Sequence, residues 1–261
     1  MLTDDVRRTV ADALRDAESE RRPVPPLRET WPDLDVVDAY EVQLINIRRR
    51  LAAGATVHGH KVGLSSEAMQ QMMGVDEPDY GHLLSDMQIV SGESLPASRY
   101  CFPRVEVEVA FVLGATLPGE GCTEDDVVRA TAYVAPAIEL IDSRIADWDI
   151  KIGDTIADNA SSAGYVLGPE RVRPDELDLR GIEARLMRNG EKVAEGRSDA
   201  VLGNPVTAVA WLADKVASFG VTLEAGHVIL PGSVHRAIDV APGDEFVADF
   251  DGLGAVHLSF D

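Results

Sequence analysis

Residues 103–111, PRVEVEVAF, combine the pattern of a strand with two carboxylates on one face. Three valines alternate with Glu106 and Glu108, which is the two-residue period of a half-buried strand. The two Glu side chains then project side by side, about 6.6 Å apart along the strand. At that distance and an effective dielectric constant of about 20, their repulsion is on the order of 2–3 kcal/mol. A fold that contains this strand must therefore leave the pair in water or bind a cation between the carboxylates.

The composition narrows the classes of protein that could contain such a strand. With 24 basic and 45 acidic residues the net charge is −21, which argues against nucleic acids and anionic membranes as partners. No apolar run approaches the roughly 20 residues of a membrane span, and the charged N-terminus has helical periodicity rather than the features of a signal peptide. The two cysteines, Cys101 and Cys122, have no metal-ligand spacing. A reduced, cytoplasmic protein is expected.

The first third of the chain has mainly helical periodicity. Thr3 and Asp35 are predicted N-caps of two helices on either side of a Pro-rich break. A strand in VHGHKVGL, residues 57–64, precedes a short helix that is capped by Ser and ends at Gly74. The second helix is expected to bury a stripe with three- and four-residue spacing: Val37, Tyr40, Leu44, Ile47 and Leu51.

From about residue 100 the pattern changes to short strands with turn signals. Asn189-Gly190 predicts a hairpin, and an Asn-Pro pair begins the clearest helix, over 204–219. Three more strands are expected in the C-terminal tail. We therefore expect an α+β fold rather than a parallel doubly wound sheet, with a helical N-terminal region over 1–75 packed on a β-rich catalytic core over 76–261.

A third carboxylate strengthens the cation interpretation. Glu139 lies inside the apolar run of VAPAIELIDSRI, where an unpaired charge would be costly. Three Glu residues without Cys or His partners suit Mg²⁺ or Mn²⁺, with waters completing an octahedron. Two simpler interpretations stay open at this point: a solvated acidic face for Glu106 and Glu108, and a buried salt bridge of Glu139 with Arg104 or Arg144.

Other polar residues also have both a structural and a functional interpretation. The segment IGDTIADNASSAG, residues 152–164, is typical of a polar turn, but its hydroxyl and N–H donors also suit a substrate carboxylate. Lys61, between two glycines on a predicted strand, is by default a solvent-facing side chain, and Asp79 is by default a turn residue. The sequence contains no P-loop, GxGxxG, GxSxG or CxxC motif.

Several segments together resemble one enzyme family, the 2-hydroxypenta-2,4-dienoate (2-keto-4-pentenoate) hydratases of the fumarylacetoacetate hydrolase superfamily. The resemblance runs from about residue 35 to the end of the chain and is closest to hydratases of aromatic and steroid ring degradation. It implies a compact β-rich core with a helical N-terminal region. The segments that carry it occur in this order: GHKVGLSSEAMQQMMGVDEPDYGHL, PRVEVEVAF, PAIELIDSRIADWDIKIGDTIADNASSAG, GNPVTAVAWLA and LPGS.

The resemblance also implies roles for individual residues. Glu106, Glu108 and Glu139 match the ligands of a divalent metal, Mg²⁺ or Mn²⁺. Lys61 and Asp79 match catalytic residues placed beside the substrate. Four further residues match substrate-binding positions: Asn159, Ser161, Ser162 and Ser233.

The implied substrate is a short 2-hydroxy-2,4-dienoate, either pentadienoate or hexadienoate. Its carboxylate and C2 oxygen can chelate one ion, which stabilises the enolate form. Ketonisation delivers a proton to C5, and water then adds at C4, so both steps need an acid or a base. Lys61, with a pKa lowered by the dication, is expected to act as acid or electrostatic clamp, and Asp79 to orient or deprotonate the water. After LPGS, where the family implies small polar residues, this chain has Val234 and His235, a departure that concerns the substrate tail.

Three other functions share part of this pattern. A 4-oxalocrotonate-type 2-oxo-3-enedioate decarboxylase has the same ligands and dienolate chemistry but releases CO₂ instead of adding water. A C–C hydrolase needs a His–Glu pair to activate water, and His58 and His60 are the only candidates near Lys61. A noncatalytic partner subunit would tolerate loss of the carboxylates, whereas this chain keeps all three and Lys61.

The expected partners are a small-molecule substrate and further copies of the chain. Apolar faces on the 204–219 helix and the C-terminal strands exceed what one small core needs, and they should drive association of chains that repel at net −21. The resemblance implies a homo-oligomeric ring, a pentamer or a decamer, and association with a downstream aldolase or a decarboxylase.

Overall fold

The computed structural model describes residues 1–261 and contains seven α-helices and thirteen strands. No helix is both long and apolar enough to cross a membrane. The helices are α1 (Asp4–Glu20), α2 (Leu27–Thr30), α3 (Val36–Ala52), α4 (Glu67–Met73), α5 (Glu124–Ala130), α6 (Ile152–Ala157) and α7 (Pro205–Ala217). The strands are β1 (Val57–Gly63), β2 (Asp79–Leu84), β3 (Gln88–Ile89), β4 (Ser94–Leu95), β5 (Arg104–Leu113), β6 (Thr131–Ile141), β7 (Ser162–Leu167), β8 (Glu183–Arg188), β9 (Glu191–Arg197), β10 (Val228–Leu230), β11 (Ile238–Asp239), β12 (Glu245–Phe250) and β13 (Gly254–Phe260).

Two sheets form the β-rich part of the protein. The larger sheet has the strand order β2-β1-β10-β5-β6-β7-β3, and β11 also pairs with β5. Its two longest strands, β5 and β6, are antiparallel neighbours at the centre, and only β1–β10 and β3–β7 pair in parallel. The smaller sheet, β4-β13-β12-β8-β9, packs β12 and β13 against β6. Mostly antiparallel sheets with separate helices confirm the predicted α+β class.

The local signals for turns and caps are confirmed. The side chains of Thr3 and Asp35 accept hydrogen bonds from the backbone N–H groups of the first turns of α1 and α3. Helix α4 follows Ser66 and ends at Gly74, which has a φ of 72°. The Asn189-Gly190 pair, with φ of 53° and 82°, connects β8 to β9 in an antiparallel hairpin.

The buried face of α3 differs from the predicted stripe. Val37 is 53% exposed and Leu51 is 37% exposed, so both predictions of burial were wrong. Gln43 turns inward instead, because its side-chain amide donates hydrogen bonds to the backbone carbonyls of Tyr80 and Ile156, at 3.1 and 2.8 Å. Because Gln43 has two buried acceptors within reach, it can be buried without losing hydrogen bonds. The buried face of α3 is therefore rotated from the stripe formed by its apolar residues. The buried residues of α3 are Asp38, Ala39, Tyr40, Val42, Gln43 and Ile47.

The larger sheet takes strands from both sides of the boundary predicted at residue 75. Strand β1 lies within residues 1–75, yet it pairs with β2 on one side and with β10 on the other. The C-terminal tail contributes four strands rather than the three predicted, because the two-residue β11 adds to the edge of β5. The division into a helical N-terminal region over 1–75 and a β-rich core over 76–261 therefore stays a proposal.

The apolar face of α7 is covered within one chain. Eight of its thirteen residues are buried, mostly against the main apolar core. The prediction that this helix offers a free face for association was therefore wrong, because the chain itself packs against it. Phe219, 42% exposed, is the one exposed large apolar side chain within the predicted span of 204–219, and it follows the end of α7. The others are Met1, Val36, Val37, Leu51, Met69, Met72 and Val90.

A pair of buried histidines lies on the β1–β2 edge of the larger sheet. His60 is directly opposite His82, with ring centroids 4.7 Å apart, and both are almost fully buried. Gln43 Oε1 accepts a hydrogen bond from His82 Nδ1 at 3.0 Å. Burial lowers the pKa of His82 to about 4. Both rings are therefore neutral in the folded protein at neutral pH.

We expect this histidine pair to make the fold acid-sensitive. The pKa of His82 is about 6.5 in the unfolded chain and about 4 in the folded chain. Between these two values the unfolded chain binds a proton at His82 and the folded chain does not, so the free energy of unfolding falls as pH falls. The loss for His82 alone is roughly 3 kcal/mol. His82→Asn retains a donor toward Gln43 and should flatten this dependence in urea unfolding measured between pH 4.5 and 7. An unchanged slope would contradict the assignment.

Candidate metal centre and active site

The three Glu side chains predicted as ligands meet on one face of the β5–β6 pair. Glu106 lies directly opposite Glu139 in the register, and Glu108 follows two residues later on the same face. One carboxylate oxygen from each side chain lies within 4.8 Å of those of the other two. Glu108 and Glu139 are fully buried, and Glu106 is partly exposed. The alternative of a solvated acidic face is therefore wrong for Glu108, whereas Glu106 reaches the cavity.

The donors around the triad leave two buried oxygens without a hydrogen bond. Gly232 N donates to Glu108 Oε2 at 2.7 Å, and Ser162 Oγ donates to Glu139 Oε1 at 2.9 Å. Glu108 Oε1 and Glu139 Oε2 are buried without a hydrogen-bond donor. Burial raises the pKa of Glu106 to about 7, and burial together with the other two carboxylates raises the pKa of Glu108 well above its usual range. Free carboxylate oxygens that repel one another fit a hard divalent cation.

Lys61 is buried beside the triad rather than facing solvent. Its ammonium donates a hydrogen bond to Ala160 O at 3.0 Å and lies 3.3 Å from Glu139 Oε2, as an ion pair without hydrogen-bond geometry. Burial opposes the charged form, but Glu139 and its neighbouring carboxylates outweigh it and raise the pKa of Lys61. From the sequence we expect a dication to lower the pKa of Lys61. Without an ion the carboxylates act on the ammonium directly and raise that pKa instead. A bound ion would lower it.

The two arginines considered as partners of Glu139 have other partners. Arg104 pairs with Asp239 at 2.7 Å, and Arg144 pairs with Asp158 at 2.6 Å. The salt-bridge alternative for Glu139 was therefore wrong in its partner: the cation beside it is Lys61.

Asp79 opens β2 opposite Gly63, at the edge of the same site. Its Oδ2 accepts a hydrogen bond from Thr155 Oγ1 at 3.2 Å, and its Oδ1 is buried without a donor. A Cβ atom on Gly63 would lie 2.1 Å from Oδ1, so glycine leaves the space that the carboxyl group occupies. Burial raises the pKa of Asp79, and Lys61 opposes the shift. Asp79 is thus a buried strand residue with one free oxygen, not a turn residue.

The loop before β7 is held in a strained conformation. Asn159, Ala160 and Ser161 have φ of 55°, 50° and 55°, in the left-handed region that non-glycine residues rarely adopt. The Asn159 amide fixes the loop to β2, since it accepts from His82 N at 2.8 Å and donates to His82 O at 3.0 Å. The strain places Ala160 O on Lys61 and leaves the buried Ser161 hydroxyl without a partner.

The four residues predicted to bind substrate fall into two groups. Ser161 and Ser233 line the cavity above the triad. Asn159 uses its side chain on the backbone of His82, and Ser162 uses its hydroxyl on Glu139. The Ser161 hydroxyl, which has no partner, can contact a substrate directly, whereas the Ser233 hydroxyl accepts from Val107 N at 3.3 Å and donates to Val107 O at 3.4 Å. Asn159 and Ser162 orient the loop and a predicted ligand.

The cavity that joins these residues has a volume of about 700 Å³, enough for a small organic acid. Lys61, Asp79 and Glu106 lie in its polar wall. Methionines of α4 form much of the apolar wall. The other side chains that line it include Arg104, Trp148, Lys151, Thr155 and His235.

Two contributors to the site have little or no signal in the sequence. Thr155 holds Asp79, but nothing marks it among the small residues around it. Gly232, in LPGS, has a φ of 128°, and a Cβ there would lie 1.9 Å from Ser65 Oγ. Only glycine therefore lets the backbone approach closely enough for its N–H to reach Glu108.

Comparisons with known proteins show what this chain is similar to. The family described as fumarylacetoacetate (FAA) hydrolase C-terminal matches residues 55–260. The chain is 45% identical over 260 residues to a 2-keto-4-pentenoate hydratase of Paraburkholderia xenovorans (strain LB400), covering 100% of this chain and 97% of the relative. It is 41% identical over 254 residues to a 2-hydroxyhexa-2,4-dienoate hydratase of Comamonas testosteroni, covering 97% and 96%.

A solved structure is similar over the whole chain. The 4-oxalocrotonate decarboxylase from Pseudomonas putida G7, complexed with magnesium and adipate, superposes with a TM-score of 0.96 at 36% identity. The match covers 100% of this chain and 99% of that one. The two chains thus share one fold over almost their whole lengths.

Proposed function

Because the chain belongs to the fumarylacetoacetate (FAA) hydrolase family, we propose that it is a metal-dependent hydratase of short 2-hydroxy-2,4-dienoates. It is a hydro-lyase that adds water to pentadienoate or hexadienoate substrates to give a 4-hydroxy-2-oxo acid. The observation that carries the proposal is the buried Glu106, Glu108 and Glu139 triad with Lys61 at its edge, in a chain similar to such hydratases over its whole length. The reaction belongs to the catabolism of aromatic compounds, and steroid rings are a further source of the substrate.

The triad would hold the divalent ion, Mg²⁺ or Mn²⁺, through its free carboxylate oxygens. When bound, the ion supplies electrostatic stabilisation of negative charge on the C2 oxygen of the substrate. Ser161 donates a hydrogen bond to the substrate carboxylate, and Ser233 lies in the same cavity wall. A buried hydroxyl without a protein partner is ready to donate to this ligand.

Lys61 and Asp79 have different roles because Lys61 is a cation and Asp79 can gain and lose a proton. The Lys61 ammonium is fixed by Ala160 O, and the carboxylates around it favour its charged form, so it serves as a clamp for the anionic end of the substrate. Asp79, whose pKa burial raises, exchanges protons with the carbon chain. Ketonisation moves the proton of the 2-hydroxyl to C5; hydration then places OH on C4 and H on C3.

An assay with purified protein tests this function directly. We expect loss of the diene absorbance of 2-hydroxypenta-2,4-dienoate and 2-hydroxyhexa-2,4-dienoate, with the 4-hydroxy-2-oxo acid as product, in the presence of Mg²⁺ and not of EDTA. Absence of the 4-hydroxy product with both substrates would refute the proposal.

A second candidate function is a 2-oxo-3-enedioate decarboxylase of the 4-oxalocrotonate type. It is favoured by the structural match to the decarboxylase of Pseudomonas putida G7. Release of CO₂ from 2-oxo-3-hexenedioate, without conversion of the monocarboxylic dienoates, would select it. A noncatalytic partner subunit would turn over neither substrate class, although the chain retains the triad and Lys61.

We also propose that the chain assembles into a ring in the cytoplasm. Val36 and Val37 at the start of α3, Leu51 at its end and Phe219 are exposed apolar side chains that another copy could cover. Head-to-tail contacts close into a ring of fixed size, here a pentamer or a decamer. A downstream aldolase is a fitting neighbour, because a 4-hydroxy-2-oxo acid is a substrate for retro-aldol cleavage.

Light scattering at low micromolar concentration tests the assembly. The expected mass is five or ten times that of the chain of 28.1 kDa. Val37→Asp should lower the mass, because it places a charge in the proposed contact. A single species of one-chain mass in the unmutated protein would refute the oligomer, and a dimer would refute the ring.

A further inference from the structure

The segment after LPGS brings His235 next to a predicted metal ligand. Val234 N donates a hydrogen bond to Val107 O at 3.0 Å, and Ile238 pairs with Val105. Three residues, 235–237, therefore lie opposite Glu106 alone, as a bulge against β5. All three line the cavity.

The hydrogen bonding of His235 fixes which ring nitrogen carries the proton. Nδ1 lies 2.7 Å from the backbone carbonyl of Arg236, and a carbonyl oxygen can only accept. In the neutral ring Nδ1 is thus the donor, and Nε2 is an acceptor with a free lone pair. Nε2 is buried and has no hydrogen-bond partner.

This nitrogen differs from the other free acceptors around the cavity. The free oxygens of Glu108, Glu139 and Asp79 belong to carboxyl groups, which repel an anionic substrate or hold a cation. A neutral imidazole nitrogen repels neither a dienoate nor its enolate. It needs an O–H or N–H donor. The 2-hydroxyl of the dienoate is such a donor, but ketonisation moves its proton to C5, so in the hydration step water is the donor that remains.

We propose that His235 Nε2 holds the water that adds at C4, by accepting a hydrogen bond from one of its two O–H groups. This inference rests on the proposed function. The other O–H bond breaks as the water oxygen bonds to C4. The proton released from that bond passes through Asp79 to C3, where the electron pair of the C3–C4 double bond forms the new C3–H bond, so the addition balances with no further reactant. The family resemblance implies small polar residues after LPGS, where this chain has His235. In this proposal His235 acts in the hydration step.

Three variants test this role by separating the two halves of the reaction. His235→Leu removes the acceptor, His235→Gln places an amide oxygen near the position of Nε2, and His235→Asn places one only near the position of Nδ1. For each we would follow loss of the diene of 2-hydroxypenta-2,4-dienoate, appearance of the unsaturated 2-oxo acid and of the 4-hydroxy product, and Mn²⁺ binding.

In His235→Leu and His235→Asn we expect diene loss and Mn²⁺ binding within about threefold of the unmutated protein. Formation of the 4-hydroxy product should slow by roughly tenfold, the value of one hydrogen bond, so that the unsaturated 2-oxo acid accumulates. His235→Gln should restore most of this loss.

Each other outcome has a definite meaning. Unchanged product formation in His235→Asn, or an equal fall in both halves of the reaction in every variant that folds, would overturn the role of His235 and leave the proposed function intact. If the unmutated protein forms no 4-hydroxy product at all, the proposed function fails and the inference fails with it. Should His235→Leu not fold, the contrast between the Gln and Asn variants decides.

Discussion

Replacing Glu108 with Gln is expected to abolish Mg²⁺-dependent turnover while the chain stays folded. Gln offers a neutral oxygen where the triad has a free, buried carboxylate oxygen, so a divalent ion loses a charged ligand. The amide oxygen can still accept the hydrogen bond of Gly232 N, which retains the local backbone. Loss of a residue that only hydrogen-bonds a metal ligand already lowers metal affinity or activity by about 10- to 100-fold. For loss of a ligand itself we therefore expect turnover to fall by more than ~10²-fold. Glu106→Gln should behave in the same way.

The measurement combines activity, ion binding and folding. Turnover of 2-hydroxypenta-2,4-dienoate is compared at rising Mg²⁺ concentrations, Mn²⁺ binding is measured by calorimetry, and circular dichroism reports the fold. Glu191→Gln, an exposed carboxylate at the start of β9, is the matched control and should retain full activity. Full activity in both triad variants, or activity that survives EDTA, would contradict the metal centre.

The same variants make an opposite prediction for stability without the ion. Because the folded pKa of Glu106 is raised to about 7, the folded chain binds more protons than the unfolded chain between about pH 4.5 and 7. Stability without Mg²⁺ therefore falls as pH rises through this window, by up to roughly 3 kcal/mol for Glu106. Glu106→Gln removes this cost and should raise the metal-free melting temperature at pH 8. Lower activity together with higher metal-free stability would set the triad apart from a merely structural cluster.

The sequence predicted the triad because its spacing is a property of strands. Alternation over 103–111 places Glu106 and Glu108 on one face whatever the rest of the fold does. Glu139 was found by its apolar surroundings, since a carboxylate in a buried run needs a partner. That the register of β5 and β6 brings Glu106 opposite Glu139 is long-range information, and it is absent from either segment alone.

Other features of the site depend on contacts that no local pattern encodes. Lys61 has the sequence surroundings of a solvent-facing strand residue, and it is buried because the strained loop at 159–161 and Glu139 receive its ammonium. Ser162 and Asn159 share one polar segment with Ser161, yet their side chains are used by Glu139 and His82. Which residue of a polar loop faces a cavity is decided by backbone dihedrals, here three consecutive positive φ angles.

Lys61→Met and Asp79→Asn are each expected to lower turnover by at least ~10²-fold. Lys61→Met removes a positive charge that stabilises the anionic end of the substrate, and Asp79→Asn removes an acid or base, for which ~10² is the lower value. Neither residue is a proposed ligand, so both variants should still bind Mn²⁺. The two should differ in stability. Lys61→Met leaves Glu139 buried without its cation, which costs about 3–5 kcal/mol when one partner of a buried pair is removed. Bound Mg²⁺ should restore that loss, because it supplies positive charge to the same carboxylate.

Asp79→Asn retains an acceptor for Thr155 Oγ1 and should keep its metal-free stability. Lys192→Met, an exposed side chain on β9, is the control for loss of a lysine. Turnover, Mn²⁺ affinity and metal-free melting temperature are measured for all three. Normal turnover in Lys61→Met or Asp79→Asn would reduce that residue to a structural member of the sheet. Loss of turnover in a variant that still binds Mn²⁺ at least as tightly as the unmutated protein is the result that only a group acting on the substrate can give.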